Sequence, residues 1–554
     1  MLQVSGAIPL HGKGFHVLII GGGINGVAIA RECARREKRV LLVEQNDFSS
    51  GTTSRSTRII HGGLRYLEQF EFDLVRESLR ERERLLSQSP HLIRPMQFLL
   101  VLPDKPRTLL RSSLAVRTGL WLYNHWAGGK RQCFDPVATL ERQLDAGRQW
   151  SIYSYEDAQC EFPERLVAEW LAEAMASGAV VRNHTTALEI TRANGRVTGA
   201  RLRDRISGQE YTVSAERVVN AGGPWADAIV ASAGIKSERL IGGVRGSHLV
   251  LPRFNGAPEH PIYTEAADGR QIFVLPWNRQ VLVGTTEIVD SGSADDVQPS
   301  PDEIAYLFQN FSRLLPHSGL TASDIRYSFA GIRPLPYAPE KKYSAITRRH
   351  VLYDHADDGA AGLISVIGGK LTTAARLARD VGRKLGLEIP EPANTFGAPV
   401  ADNSVDSVVR QWSHAVATKA RIPEGCAHGI AEWHGRHALA IAHAASLDER
   451  LREPICEHTC HLVAEAVEAV AHESAITLGD ILLRRVPVAL GPCWCLECSR
   501  EAAAKIGSAL GWDQARIGQE LEAFEEERTR FLHPQTSPGK GKPVASLPTM
   551  KEPA

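Results

Sequence analysis

Apolar and polar positions along the chain alternate between two periods. Residues 16 to 20, HVLII, form a short continuous apolar run that stops at GGGING. The following VAIARECARREKR repeats its apolar positions at helical spacing, and VLLVE at 40 to 44 returns to a strand, so the start reads as β-α-β. In EFDLVRESLRERERLL, Phe72, Val75 and Leu79 share one helical face with charge elsewhere, which predicts a surface helix packed on a core. From 166 a helix, LVAEWLAEAMASG, precedes strands punctuated by the turn dipeptides Asn194-Gly195 and Ser207-Gly208, ending at RVVNAGGPW. Residues 240 to 345 are rich in strand patterns, and QIFVLPWNRQVLVGTTE predicts a hairpin turning at Asn278-Arg279. GLISVIGGKLTTAARLARDV is strand, glycine turn and helix, a unit expected to rejoin the first sheet. The Pro- and Gly-containing stretch 391 to 404 reads as a linker, residues 405 to 533 as a helical domain in which Val463, Val467 and Val470 share a face, and 534 to 554 as a tail too poor in apolar residues to fold. Thr477 and Asp480 predict a capping box.

One glycine cluster gives the first unit a chemistry. Gly21-x-Gly23-x-x-Gly26 lies at the strand-to-helix junction, where bare backbone lets a pyrophosphate approach the helix N-terminus and the third glycine lets helix and strand pack. Glu44 ends the second strand, placed to accept hydrogen bonds from a ribose diol, and its acidity disfavours a 2′-phosphate. FAD and NAD share this pattern. The hydroxyl-rich SSGTTSRSTRIIHGG that follows offers small donors suited to a diphosphate and a flavin edge.

Here the chain resembles the FAD-dependent glycerol-3-phosphate dehydrogenases, of the aerobic, quinone-linked type, within the D-amino-acid-oxidase-like flavoproteins. The resemblance rests on GGGINGVAIA, IIHGGLRYLE, VNAGGPW, GSHLVLP, VLPW, GTTE, GIRPL, AITR and IGGKLTT in order, and covers roughly residues 15 to 385 and, more loosely, the helical part. It implies an α/β plus α+β fold. A Rossmann-like FAD-binding domain (about 15 to 95, 150 to 240 and 345 to 390) is interleaved with an antiparallel-sheet substrate domain (about 96 to 149 and 241 to 344), and a helical C-terminal domain follows. It assigns Gly21, Gly23, Asn25, Gly26, Glu44, Thr53, Ser54, Gly62, Gly63, Leu64, Ala221, Gly222, Gly369, Leu371 and Thr372 to FAD. Where the family usually continues IGGKLTT with Tyr-Arg, this chain has Ala374-Ala375, then Arg376.

The resemblance further implies oxidation of sn-glycerol 3-phosphate to dihydroxyacetone phosphate, with electrons passed to membrane quinone. A phosphate needs planar, multidentate cations, which suits Arg better than Lys. Arg333 and Lys370 are expected nearest the reacting carbon, with Arg65, Tyr66 and Arg348 holding the phosphate and Thr285 and Thr286 as secondary contacts. His61 and His248 are the candidate bases for the hydroxyl proton. The alternatives are an oxidase using oxygen, a relative acting on another 2-hydroxy acid or an amine, and a non-catalytic flavin-binding membrane-surface protein.

Charge and cysteine usage constrain partners. Sixty-four Lys and Arg balance sixty-four Asp and Glu, so no global field recruits nucleic acid. Locally, residues 105 to 131 carry six cations and no acid, interleaved with Leu109, Leu114, Leu120, Trp121 and Trp126, which predicts an amphipathic membrane-surface segment. Neither an export signal nor a spanning helix is expected. Nine scattered cysteines argue against a disulfide framework and for a reducing compartment. The expected location is cytoplasmic, peripheral to the inner face of the membrane, with a homodimer possible. Cys456-x-His458-x-Cys460-His461 and Cys493-x-Cys495-x-x-Cys498 gather soft ligands, but residues two apart on a predicted helix point to different sides, so no metal is expected.

Overall fold

The computed structural model describes residues 10–68, 70–103, 113–127, 140, 143–289, 294–340, 346–387 and 405–533. The parallel part of the first sheet is built from the apolar runs. Gly14–Ile20 pairs with Val40–Val43 on one side and Glu210–Asn220 on the other, in registers Val17↔Val40 and Ile20↔Asn220. Every residue of Val40–Val43 is buried, because helices cover both faces, and this is why the strand reads as unbroken apolar sequence. The crossover helix Ile24–Ala34 packs Val27, Ile29 and Ala30 into that core with no exposure. Leu363–Ile367 joins Glu210–Asn220 in parallel, so the late strand-turn-helix unit does return to the first sheet.

The second sheet is mainly antiparallel. Ile241–Pro252 runs antiparallel to Tyr327–Pro336 and to Gln280–Gly284, and the predicted hairpin turns at Asn278 and Arg279, both at positive φ. Trp150–Cys160 pairs with Ile93–Pro103 along its whole length. That strand was expected in the FAD-binding part. Its hydrogen-bond partner puts it in the second sheet instead, and the chain re-enters the first domain at the helix Pro163–Ala176. Alternation shows a half-buried strand but not which sheet it joins.

Two further expectations are corrected at residue level. In the helix Phe72–Gln88 the inward face is Leu74, Val75, Ser78, Leu79 and Leu85, whereas Phe72 stays exposed at the first turn, edge-on to Trp126. The segment Cys456–His461 is not helical. The helix starts at Val463, and the preceding residues form a turn, so residues two apart there are free to converge. Cys426 and Cys460 are joined as a disulfide. The Thr477–Asp480 capping box forms as expected. The predicted linker and the tail 534 to 554 lie outside the described residues.

The helical domain is fastened to the first domain by buried charge. Asp47 accepts two hydrogen bonds from Arg485, at 2.7 and 2.8 Å, and one from Arg484. Asp480 in turn faces Arg484 and His184. Arg165 holds Glu473 with both guanidinium nitrogens, at 2.7 and 2.9 Å. Such groups are stable in the interior only while paired.

Candidate active site

A cavity of about 760 Å³ runs between the two sheets, from the glycine turn to the cations. At its far end Gly21, Gly23, Asn25, Glu44, Thr53 and Ser54 line the wall. Gly21 has φ +109, and a Cβ on Gly26 would stand 1.8 Å from the Gly21 carbonyl, so helix and turn touch only because both lack side chains. Glu44 accepts from the Gly22 and Asn46 amides at 2.6 and 2.9 Å. Burial raises its carboxyl pKa, and those two amide bonds oppose the shift. The carboxylate is therefore oriented at the end of the second strand, where a ribose diol would lie. Asn25 donates to the Gly368 carbonyl at 3.3 Å, while its buried Oδ1 has no protein partner, a free acceptor beside the turn. Ala221, Gly222, Gly63, Leu64, Gly369, Leu371 and Thr372 line the continuation of the cavity. Its shape and its spare polar atoms fit an extended dinucleotide.

Three expected contacts are not there. Gly26 does not line the cavity and acts through packing. Gly62 faces away, its amide donating to Tyr123 Oη at 2.8 Å and to Asp157 at 3.2 Å. Thr286 is buried behind the wall, where its hydroxyl donates to Glu303 at 2.6 Å and accepts from the Ser247 amide at 2.9 Å. Its neighbour Thr285 does reach the cavity. The two threonines diverge in the loop that follows the strand Gln280–Gly284.

Arg65, Arg333, Arg348 and Lys370 line one end of the cavity. Arg333 donates to Thr285 Oγ1 at 2.9 Å and to the Thr286 carbonyl at 3.3 Å. A Cβ on Gly246 would meet Arg333 Nη2 at 2.5 Å, so the neighbouring strand makes room for the guanidinium with a glycine. Arg65 and Arg348 approach Glu287 Oε1 from two sides, at 3.3 and 3.1 Å, and Arg348 Nη1 is buried without a partner. Lys370 Nζ sits 4.1 Å from the centre of the Tyr66 ring and donates to Ser78 at 3.1 Å. Burial, aided by Arg348, pushes Lys370 down to about 7, and the same two causes bring Arg333 down to about 10. Burial would raise Glu287, but Arg65, Arg333 and Arg348 outweigh it and keep its carboxyl below the ordinary range.

Both histidines line the same space. His248 stacks on Phe329 and shares a 2.9 Å hydrogen bond between Nε2 and Thr57 Oγ1, leaving Nδ1 buried and unpartnered. Burial first, then Lys370, lowers His61 to about 3; burial, then Arg333 and Arg58, does the same to His248. Both rings are neutral at physiological pH. Thr57 and Glu287 went unassigned in the sequence, although Glu287 completes GTTE, since an acid among phosphate-binding cations has no obvious reading without the geometry. Arg58, in the same motif as Arg65, is structural: it forms a buried bidentate pair with Glu164 at 2.8 and 2.9 Å. Arg376 pairs with Asp380 at 3.2 Å and does not line the cavity.

Residues 16–375 match the FAD dependent oxidoreductase family, and residues 397–517 match the C-terminal domain of alpha-glycerophosphate oxidase. The chain belongs to the FAD dependent oxidoreductase family. FAD is its cofactor, and the cavity from Gly21 to Lys370 is where the side chains fit it. This oxidoreductase is 36% identical to a glycerol-3-phosphate dehydrogenase of Synechocystis sp., over 92% of this chain and 96% of that protein. It is 34% identical to the D-erythritol 1-phosphate dehydrogenase of Brucella abortus, over 85% and 93%. Its fold matches the glycerol-3-phosphate dehydrogenase of Bacillus halodurans solved with FAD, at TM-score 0.77 and 23% identity, covering 96% of this chain and 97% of that one.

Proposed function

We propose that the protein oxidises sn-glycerol 3-phosphate to dihydroxyacetone phosphate and passes the electrons to membrane quinone. The observation that carries this reading is the convergence of Arg65, Arg333, Arg348 and Lys370 on one end of the flavin cavity, with Glu287 as the carboxylate between two of them. A small phosphate dianion suits that excess of positive charge, and the unpartnered Arg348 Nη1 is available to it. The relatives named as dehydrogenases of glycerol 3-phosphate and erythritol 1-phosphate support a polyol phosphate. They weigh against an amine or a simple 2-hydroxy acid.

FAD supplies the hydride acceptor. The chain binds the phosphate through Arg65 and Arg348, sets the hydroxyl against Arg333 and Lys370, and receives its proton. A base is most effective when its pKa lies near the working pH, which ranks Lys370, at about 7, ahead of His61 and His248, at about 3. The guanidinium of Arg333 favours the developing alkoxide.

Quinone as acceptor is supported by a second, mainly apolar cavity of about 270 Å³ beside the first, lined by Leu64, Leu67, Leu100, Val116, Leu120 and Tyr263. It opens under the helix Ser113–Trp126, whose outer side presents Leu114, Arg117 and Trp121. The remaining cations of the basic segment, Lys105, Arg107, Arg111, Lys130 and Arg131, lie outside the described residues. Among the described residues no helix is long and apolar enough to cross a membrane.

The test is anaerobic addition of glycerol 3-phosphate to the purified yellow protein, with erythritol 1-phosphate, lactate and glycine as alternatives. Rapid bleaching by glycerol 3-phosphate alone is expected; bleaching by lactate or glycine instead would reject the reading. Reoxidation by a ubiquinone analogue, rather than by oxygen with stoichiometric peroxide, separates dehydrogenase from oxidase. Losing one charge-assisted hydrogen bond costs about 1.5–3 kcal/mol, so Arg348→Ala is expected to raise KM about 10–100-fold with little change in kcat.

A further inference from the structure

The two cysteine clusters that the flavin chemistry leaves unused come together in the C-terminal domain. Cys456 and His458 lie on the turn before the helix Val463–His472, and Cys495 and Cys498 lie at the start of the helix Leu496–Leu510, with Cys495 at its N-cap. The ligand atoms of Cys456, His458 and Cys498 all fall within 4.8 Å of one another. Cys498 Sγ is 3.6 Å from His458 Nδ1 and 3.5 Å from Cys495 Sγ. Around a single tetrahedral zinc, with Zn–S about 2.3 Å and Zn–N about 2.0–2.1 Å, sulfur–nitrogen and sulfur–sulfur edges come to about 3.6 and 3.8 Å. The separations of Cys498 from His458 and from Cys495 already have that size, while Cys495 stands outside the convergent group of Cys456, His458 and Cys498 and reaches it through Cys498.

We propose that Cys456, His458, Cys495 and Cys498 bind one structural Zn²⁺ in this domain. Cys495-x-x-Cys498 has the pair spacing common in zinc sites and lies at the start of a fifteen-residue helix that fixes the two side chains relative to each other. A disulfide would use two of these sulfurs and leave an imidazole nitrogen facing a thiol without purpose. Cys460 is already committed to Cys426, and Cys493 turns its sulfur to the His458 carbonyl, 3.7 Å away. The scaffold is assembled independently of the ion: the Glu457 amide donates to Glu501 at 3.2 Å, and Lys505 donates to the Pro454 carbonyl at 2.9 Å, so the turn is docked on the helix that brings Cys498.

Position gives the ion its function. The chain entering the second cluster grips the second sheet, since the Leu490 carbonyl accepts from Gln280 at 2.9 Å and from Tyr327 Oη at 2.8 Å, and the Pro492 carbonyl accepts from Arg326. Zinc three to six residues beyond Pro492 holds that segment against the turn at Cys456. Binding deprotonates the thiols and releases their protons to solvent, with no change of oxidation state.

The full-length flavin-loaded protein, purified without chelators or metal-affinity steps, is expected to carry about one zinc per flavin by elemental mass spectrometry. X-ray absorption at the zinc edge should show three sulfurs at about 2.3 Å and one nitrogen. Cys456→Ser and Cys498→Ser should lose the zinc while Cys493→Ser keeps it. Should the serine variants fail to fold, wild-type stoichiometry and absorption spectra decide alone. Flavin-loaded wild-type protein without stoichiometric zinc, or with iron and acid-labile sulfide in its place, overturns the proposal. So does zinc retained in both ligand variants.

Discussion

Lys370 is where burial and charge leave a group nearest to switching. Its ammonium loses solvation and faces Arg348, which together bring it to about 7. Because kcat/KM reports the free enzyme, the rate should rise with pH through about 7 as Lys370 gives up its proton. That limb should vanish in Lys370→Met and persist in His61→Asn and His248→Asn, whose rings are neutral throughout. Persistence in Lys370→Met would return the role to a histidine. A dianion bound beside Lys370 favours its charged form, so ligand binding near pH 8 should take up protons. Calorimetry in buffers of different ionisation enthalpy measures that uptake, and Lys370→Met should abolish it. At this scale Arg65, Arg333, Arg348 and Lys370 were legible through the motifs that carry the family resemblance, whereas the nearby Arg58 is structural. The divergence of Thr285 and Thr286 was not legible, because it depends on which way one loop faces.

At the level of single elements, the helix Ser113–Trp126 carries two faces. Leu120 and Tyr123 are buried, while Leu114 and Trp121 are 77% and 62% exposed, more than an ordinary surface helix needs. Burying an exposed apolar side chain contributes about 1.5–3 kcal/mol, so Leu114→Asp with Trp121→Asp should weaken binding to anionic vesicles by about 100-fold or more. Turnover with a soluble dye acceptor should be unchanged; unaltered flotation of the variant with vesicles would remove the helix from the membrane contact. Period told helix from strand for the glycine-turn unit, the hairpin at Asn278-Arg279 and the capping box at Thr477. It misplaced the helix at 456–461, where polar, cysteine-rich sequence has no apolar repeat to mark the boundary.

For the whole molecule, the buried ion network decides how the helical domain sits on the FAD domain. Asp47→Ala leaves buried Arg485 without its carboxylate and removes one of the three carboxylates around Arg484, and should cost about 3–5 kcal/mol, read as a lower Tm of the flavin-loaded protein. His184 adds a pH dependence. Burial disfavours its charge, but Asp480 outweighs it and raises the imidazole to about 9. A raised pKa stabilises fully below the unfolded value of about 6.5 and loses that contribution as pH climbs through about 9. The Tm advantage of wild type over His184→Asn should therefore be largest near pH 6 and disappear above about 9. The chain alone determined the elements, the dinucleotide turn and the chemical identity of the cations, since these follow from period, from backbone that only glycine permits and from side-chain charge. Tertiary structure alone decided that Trp150–Cys160 belongs to the second sheet, that Thr286 supports rather than contacts, that Glu287 lies between arginines, and that Cys456 and His458 meet Cys498, about forty residues away, in one corner. Those are outcomes of pairing and packing between distant segments, and local sequence carries no term for a partner it does not touch.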